Sequence, residues 1–297
     1  MKYLKFFLFV LFGTMIFMTS CGDDDACVES IWYEDADGDG LGNPNVSQTA
    51  CDQPVGFVAD NTDTDDAGSS VAGGTPTAAF DDFNADGVTI SFDGDLITIV
   101  SDGLPNHTSP YWATSETLYI EPVVANPDQM SPGTMRAGSY TLTVPASPEK
   151  AASTSATGLG AIGIAVSGAP IFNDEEGPNI SLSANVASGF DYAGGHMGPT
   201  GYHYHLESSD VEANTSVSFD DEKLVGILND GFLIYGRRCN ATGEYPTDLD
   251  ESGGHTSSTQ HSGDDEFYHY HIINEFYIDA YILLFGVDLQ GTPIRIM

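Results

Sequence analysis

Residues 162–172 read IGIAVSGAPIF, and residues 225–235 read VGILNDGFLIY. Laid over one another, Gly163 falls on Gly226, Gly168 on Gly231, Ile171 on Ile234 and Phe172 on Tyr235. Each stretch is two short apolar runs around a glycine-containing turn, the pattern of a strand, a tight turn and a second strand. Two further blocks recur in the same order. FDYAGGH at 190–196 matches LDESGGH at 249–255, pairing Asp191 with Asp250 and His196 with His255, and each copy then ends in Tyr-His-Tyr-His, at 202–205 and 268–271. The three blocks match at offsets of 63, 59 and 66 residues. Ordered matches of this kind predict two similar halves related by a pseudo-two-fold axis.

The rest of the chain from residue 80 onward also reads as β-structure. GVTISFDGDLITIVSDG alternates apolar and polar residues on both sides of Asp93-Gly94, which predicts a hairpin. LYIEPVV (118–124), GSYTLTVP (138–145) and AYILLFGVDL (280–289) read as further strands. DFNADG (82–87) has calcium-loop spacing but no supporting acidic cluster, and reads as a turn. The expected fold class is mainly β, a β-sandwich-like domain with an internal pseudo-two-fold duplication, carried on a small calcium-binding stalk.

Alternation along a strand sends His203 and His205 to one face and Tyr202 and Tyr204 to the other, and likewise His269 and His271 against Tyr268 and Tyr270. Two imidazoles at i and i+2 can reach one metal ion. His196 and His255 follow Gly-Gly and are expected on flexible turns that bring in a third nitrogen. Each half thus offers a three-histidine set, 196/203/205 and 255/269/271; alternatively the four strand histidines meet across the axis as one site. Imidazole without thiolate suits zinc, copper or iron, and three histidines with an open position would be catalytic geometry. Asp191 and Asp250 are candidates for fixing the histidine tautomers. His107, in LPNHTSPYW, reads equally as a ligand or as a structural residue, whereas His261 is expected to be exposed. Arg237 and Arg238 are expected to pair with nearby carboxylates rather than to receive an anionic substrate. The competing reading is architectural: buried histidines bonded to backbone and tyrosines packed in a core.

The segment from about residue 80 to 297 resembles the YHYH domain family, through the repeated Tyr-His-Tyr-His and the stretches SDGLPNHTSPYW, IGIAVSGAPIFN and LVGILNDGFLIYG. The resemblance implies a domain boundary and no particular reaction.

The N-terminal region has a different character. Residues 1–20 carry Lys2 and Lys5 ahead of an apolar run too short to span a bilayer, and small residues precede Cys21. This looks like a lipoprotein signal peptide with Cys21 as the lipidated residue, and the Gly-Asp-Asp-Asp that follows is similar to the export signal of surface lipoproteins in some Gram-negative bacteria. The expected location is extracytoplasmic, lipid-anchored to the outer membrane and on the cell surface. Residues 21–66 then place Asp35, Asp37 and Asp39 at alternate positions before Gly40, with Asp63 and Asp65 in a second acidic cluster. That spacing converges carboxylates on a hard cation, and the stretch resembles thrombospondin type 3-like calcium repeats, with Thr64 standing where a cysteine would be expected. Cys27 and Cys51 flank this segment in an oxidising compartment and are expected to form a disulfide, stabilising by about 3 kcal/mol. Cys239 is left over, as an inert buried thiol or a soft metal ligand. Residues 67–79, AGSSVAGGTPTAA, read as a linker.

The charge balance is 44 Asp+Glu against 8 Lys+Arg, a net −36. A phosphate backbone needs a basic surface, so nucleic acid is excluded as a partner. No G-x-S-x-G stretch, phosphate loop or dinucleotide fingerprint occurs. Two function classes remain: a binding module that holds a transition metal or uses it to grip an extracellular ligand, and a metal-dependent enzyme, a hydrolase or a copper oxidase.

Overall fold

A computed structural model describes residues 29–35, 42–62, 74–208 and 219–297. The signal segment, Cys21, Cys27, Asp37, Asp39, Asp63 and Asp65 lie outside the described residues. Strands β1 (Ser30–Glu34), β2 (Ser47–Ala50) and β3 (Phe57–Val58) make a small sheet in the order β2-β1-β3. Cys51, directly after β2, is disulfide-bonded. Asp35 follows β1, and its amide donates to the Gly56 carbonyl at 3.0 Å.

The hairpin around Asp93-Gly94 is present as β4 (Val88–Asp93) and β5 (Leu96–Ser101), in register from Val88 opposite Ser101 to Asp93 opposite Leu96. Strand β6 (Tyr140–Pro145) adds to β5 to complete a three-stranded sheet. DFNADG is a turn: the Asn84 carbonyl accepts from the amides of Gly87 and Val88, and its side chain donates to the Ser167 carbonyl.

The centre of the molecule is an eight-stranded sheet. Its members are β7 (Gly163–Ala165), β8 (Pro170–Ile171), β11 (Gly195–Gly198), β12 (Gly201–Tyr204), β14 (Leu224–Leu228), β15 (Leu233–Tyr235), β16 (Gly254–Ser257) and β17 (Phe267–His271). Two short pairings lie outside it: β9 (Glu175–Glu176) with β10 (Ile180–Ser181), and β13 (Leu206–Ser208) with β18 (Tyr281–Leu283). The sheet order is β11-β12-β8-β7-β14-β15-β17-β16. Read inward from either edge, it is an antiparallel pair, then a parallel step, then a hairpin. The hairpins meet through β7 and β14 with Ile164 opposite Ile227. Those two positions also match at the 63-residue offset, so the midpoint of the sheet falls between them. Gly163 and Gly226 flank this contact, and a Cβ on either would strike the partner strand's carbonyl at Ile227 or Ile164. The hairpin turns use Gly168 and Gly231 at φ +104° and +95°, a region that L side chains avoid.

Register divides the sheet into two faces. Tyr202, Tyr204, Tyr268 and Tyr270 share one buried cluster with Ile171, Ile234, Ala165 and Phe285. On the opposite face Ile164, Ile227, Leu233 and Tyr235 pack against Ile97, Ile99, Leu142 and Val144 of the three-stranded sheet. The histidines share that second face but sit toward the sheet edges, beyond its central apolar contact.

Two expected strands are shorter or absent. In 118–124 only Tyr119 makes an isolated bridge, to Ser109, because Pro122 has no amide to continue a ladder. In 280–289 only Tyr281–Leu283 pairs. His196 and His255 are not on flexible turns. They lie within β11 and β16, directly opposite His203 and His269. No helix among the described residues is long and apolar enough to cross a membrane.

Candidate metal centres

The antiparallel pair at each edge is shaped by its Gly-Gly turn. Gly194 and Gly253 take φ of +77° and +74°. Gly195 and Gly254 have no room for a Cβ, because the phenol oxygens of Tyr202 and Tyr268 occupy that space. Those phenols donate to Asp191 at 2.9 Å and to Asp250 at 3.0 Å, and each aspartate also accepts from the amides two and four residues on. This corrects the role expected for Asp191 and Asp250. They hold the tyrosines and the turn, not the imidazoles. Asp191 is buried and burial raises its carboxyl above the usual range, while its hydrogen bonds and His107 pull the other way. Burial acts on Asp250 too, but Lys150 at 2.9 Å, the Gly254 amide and Tyr268 hold it below that range.

On the histidine side the orienting groups are mostly main-chain carbonyls. Asn173 O lies 2.5 Å from His205 Nδ1, Gly201 O 3.1 Å from His203 Nδ1, Gly236 O 2.6 Å from His271 Nδ1 and Phe267 O 3.0 Å from His269 Nδ1. A carbonyl only accepts, so in each ring Nδ1 carries the hydrogen. His255 Nδ1 meets the Asp248 carboxylate at 3.0 Å and His196 Nδ1 the Ser131 hydroxyl at 2.9 Å. Burial keeps the four imidazoles held by carbonyls neutral. It drives His203 well below the ordinary range, with His196 and His205 adding to the effect, and brings His205 and His271 to about 4 and His269 to about 3. In the four rings held by carbonyls, Nε2 is therefore left as a bare lone pair.

These lone pairs converge twice, not once. In the first set the Nε2 atoms of His196 and His205 meet Glu176, brought in by the β9–β10 hairpin, and His203 completes the group; one ligand atom from each of the four residues lies within 4.8 Å of every other. Glu176 Oε1 is 2.9 Å from His196 Nε2 and 3.5 Å from His205 Nε2, yet neither approach has hydrogen-bond angles, and all three atoms are buried without a partner. Ligands on a tetrahedral ion at about 2.05 Å stand about 3.3 Å apart, so this spacing fits a shared cation. Burial pushes the Glu176 carboxyl up, but the adjacent His196, with a smaller effect from His205, outweighs it and holds the group below its ordinary range. Phe172 stacks on His203 at 3.9 Å between centroids and Phe190 on His196 at 4.1 Å, closing the apolar wall.

In the second set Cys239, His255 and His271 bring ligand atoms within 4.8 Å of one another. His269 joins them through Nε2, 3.1 Å from His271 Nε2. Both of those rings already spend their hydrogen on a carbonyl, so the short contact sets lone pair against lone pair unless a cation or an extra proton lies between. Ser257 Oγ sits 3.3 Å from Cys239 Sγ and 3.1 Å from His255 Nε2.

The first three-histidine set anticipated from sequence is thus brought together whole, while in the second His255 and His271 converge with Cys239 and His269 reaches the group only through His271. The two sets lie at opposite edges of the sheet, and the four strand histidines do not form one site. His107 is not with them. It lies on the tyrosine face, its Nδ1 donating to Thr108 O at 2.9 Å and its Nε2 accepting from Tyr204 at 2.8 Å. His261, expected to be exposed, is half-buried between Tyr235 Oη at 3.0 Å and Asp82 at 3.1 Å. Arg237 pairs with Glu207, buried with it, through two 3.0 Å contacts, and Arg238 lies 3.3 Å from Asp220. Both arginines are thereby occupied as expected.

The residue missed in sequence is Glu176, and the signal for it was present. Asn173 and Gly236, whose carbonyls hold His205 and His271, stand 63 residues apart, and so do Glu176 and Cys239. Running the hairpin alignment four residues past Phe172 and Tyr235 pairs the two donors. The same offset pairs Ser167 with Asp230, which hydrogen-bond the phenols of Tyr204 and Tyr270.

Residues 141–248 match the family model described as YHYH protein. The match takes in both hairpins, the first Tyr-His-Tyr-His, Glu176 and Cys239, and stops short of the second Tyr-His-Tyr-His. No curated protein and no solved structure matches the chain.

Proposed function

We propose that this protein is a surface-anchored extracytoplasmic lipoprotein that binds transition metal through its paired His-x-His strands, with one centre in each of two duplicated halves of a β-sandwich-like domain spanning about residues 80–297. The observation that carries the reading is the convergence of buried ring nitrogens. His269 and His271 bring Nε2 atoms to 3.1 Å although both rings spend the Nδ1 hydrogen on a carbonyl. In the other set Glu176 Oε1 lies 2.9 Å and 3.5 Å from the Nε2 atoms of His196 and His205 without hydrogen-bond geometry. Buried polar atoms without partners are costly, and a cation relieves that cost at both places. Zinc, copper and iron all accept imidazole nitrogen. The palindromic strand order and the 63-residue offset support two equivalent halves. The lipid anchor at Cys21 and the calcium-binding stalk, with Asp35, Asp37, Asp39, Asp63 and Asp65, complete the reading from the N-terminal sequence.

The test is elemental analysis of the soluble chain started after Cys21 and purified without a metal-chelating tag, beside His205→Ala/His271→Ala confirmed as folded by circular dichroism. Stoichiometric zinc, copper or iron that falls in the folded variant supports the proposal. Calcium alone in the wild-type protein, after exposure to each transition metal, overturns it.

A further inference from the structure

The two edges carry three imidazoles in the same strand register, yet the converging groups differ. There are three imidazoles with Glu176 at one edge, and two, His255 and His271, with Cys239 at the other, where His269 joins through His271. Glu176 supplies a carboxylate oxygen and Cys239 a sulfur, at positions related by the offset that relates the hairpins. As ligands both carry one negative charge, so the two sets have equal formal charge and long-range electrostatics cannot separate them. What separates them is softness and access. Thiolate favours zinc and Cu(I), whereas carboxylate with imidazole also suits Fe(II) and manganese. Cys239 is 1 % exposed, while the Glu176 side chain keeps 28 % of its surface in solvent.

From these observations, and resting on the metal-binding reading above, we infer that the two centres are chemically distinct: a Cys239 thiolate centre selective for Zn(II) or Cu(I), and a Glu176 carboxylate centre, reached through a side chain that is partly in solvent, that accepts Fe(II), Mn(II) or Zn(II) and exchanges it faster. The chain therefore binds two different ions, one at each edge of a single sheet. Ion entry at the Cys239 centre displaces the thiol proton to solvent and forms one metal–sulfur bond, with no change in oxidation state. At the Glu176 centre a carboxylate oxygen forms the corresponding bond, also with no change in oxidation state.

Cobalt(II) distinguishes the donors, because a thiolate ligand adds a near-ultraviolet sulfur-to-cobalt charge-transfer band that oxygen and nitrogen ligands lack. The metal-free chain started after Cys21, with its Cys51 disulfide intact and Cys239 kept as a free thiol, is titrated with Co(II) under argon, with calcium present to fill acidic oxygen sites. The expected result is two equivalents of tightly bound cobalt, with the charge-transfer band saturating after one. Cys239→Ser loses that band, and Glu176→Gln keeps it while weakening the other equivalent by about tenfold or more. Glu176→Cys doubles the band, a gain that an unfolded variant cannot produce. Two equivalents bound with no charge-transfer band, in protein whose thiol still reacts after denaturation, would overturn the distinction while leaving metal binding intact. No cobalt bound at all would overturn both.

Discussion

The two edges of the sheet were built by the same rules and finished differently. At one, a Glu176 hairpin leans over His196, His203 and His205 under Phe172 and Phe190; at the other, Cys239 reaches His255 and His271 beside Tyr235. Phe172 and Tyr235 are counterparts at the 63-residue offset, so even the wall changes from a ring that stacks to one that presents its edge and hydrogen-bonds outward to His261. The difference also reaches the tyrosine face. Asp191 is sealed, with Ser109 as an extra donor at 2.6 Å, while Asp250 is open enough to hold an exposed lysine. The scaffold is common to both halves; the chemistry and exposure are local.

The largest expected break in this parallel is at the turn glycines. A Cβ on Gly194 would overlap the Leu206 carbonyl, whereas on Gly253 the nearest atom is a movable Ile273 methyl at 3.1 Å. Gly194→Ala is expected to cost more than about 4 kcal/mol and Gly253→Ala about 1–2 kcal/mol, read from denaturant midpoints. Equal losses would mean that the two turns are not built as described.

Acid comes next. In the metal-free protein His205 and His271 titrate at about 4 and His269 at about 3 when folded, against about 6.5 when unfolded. Below pH 6.5 the unfolded chain takes up protons that the folded chain does not, so stability falls as pH drops from about 6.5 to about 4 and is fully present above that window. Asp191 and Glu207, raised by burial, titrate with the opposite sign. The informative quantity is therefore the difference from His205→Gln/His271→Gln. Wild type should lose on the order of several kcal/mol more than the variant between pH 7 and pH 4, and parallel curves would show that these rings are not buried neutral.

Smaller effects sharpen the comparison on the tyrosine face. Asp191→Ala strands the Tyr202 and Ser109 hydroxyls and two amides away from water, for about 3 kcal/mol. Asp250→Ala, where water can enter, should cost about 1 kcal/mol. Lys150→Ala removes a pair whose side chains are 47 % and 30 % exposed and should change thermal stability by less than about 1 kcal/mol.

The hairpins and the two faces of the Tyr-His-Tyr-His strands were legible because they follow from period-two alternation and from glycines that only one backbone conformation explains. Pairing each histidine of a strand with one on the next, His196 with His203 and His255 with His269, was not, since it depends on how tightly Gly-Gly turns the chain. The aspartates were misassigned for a related reason. From sequence their neighbours are histidines, but the strand sends the phenols back over the turn. Glu176 escaped notice because it lies on a two-residue strand with no signal of its own. Pro122 was legible as a strand breaker and was read through.

The orienting carbonyls of Asn173, Gly201, Gly236 and Phe267 have an evolutionary consequence. A main-chain oxygen is supplied by every residue type, so at Asn173 and Phe267 the carbonyl that aims the imidazole does not depend on which side chain is present. Gly201, at φ +128°, and Gly236, where a Cβ would strike the Asp221 carbonyl, are instead held to glycine by the backbone itself. The aim of the rings is thus fixed by backbone, while the donor that faces them, carboxylate at Glu176 and thiol at Cys239, is set by a single side chain in each set.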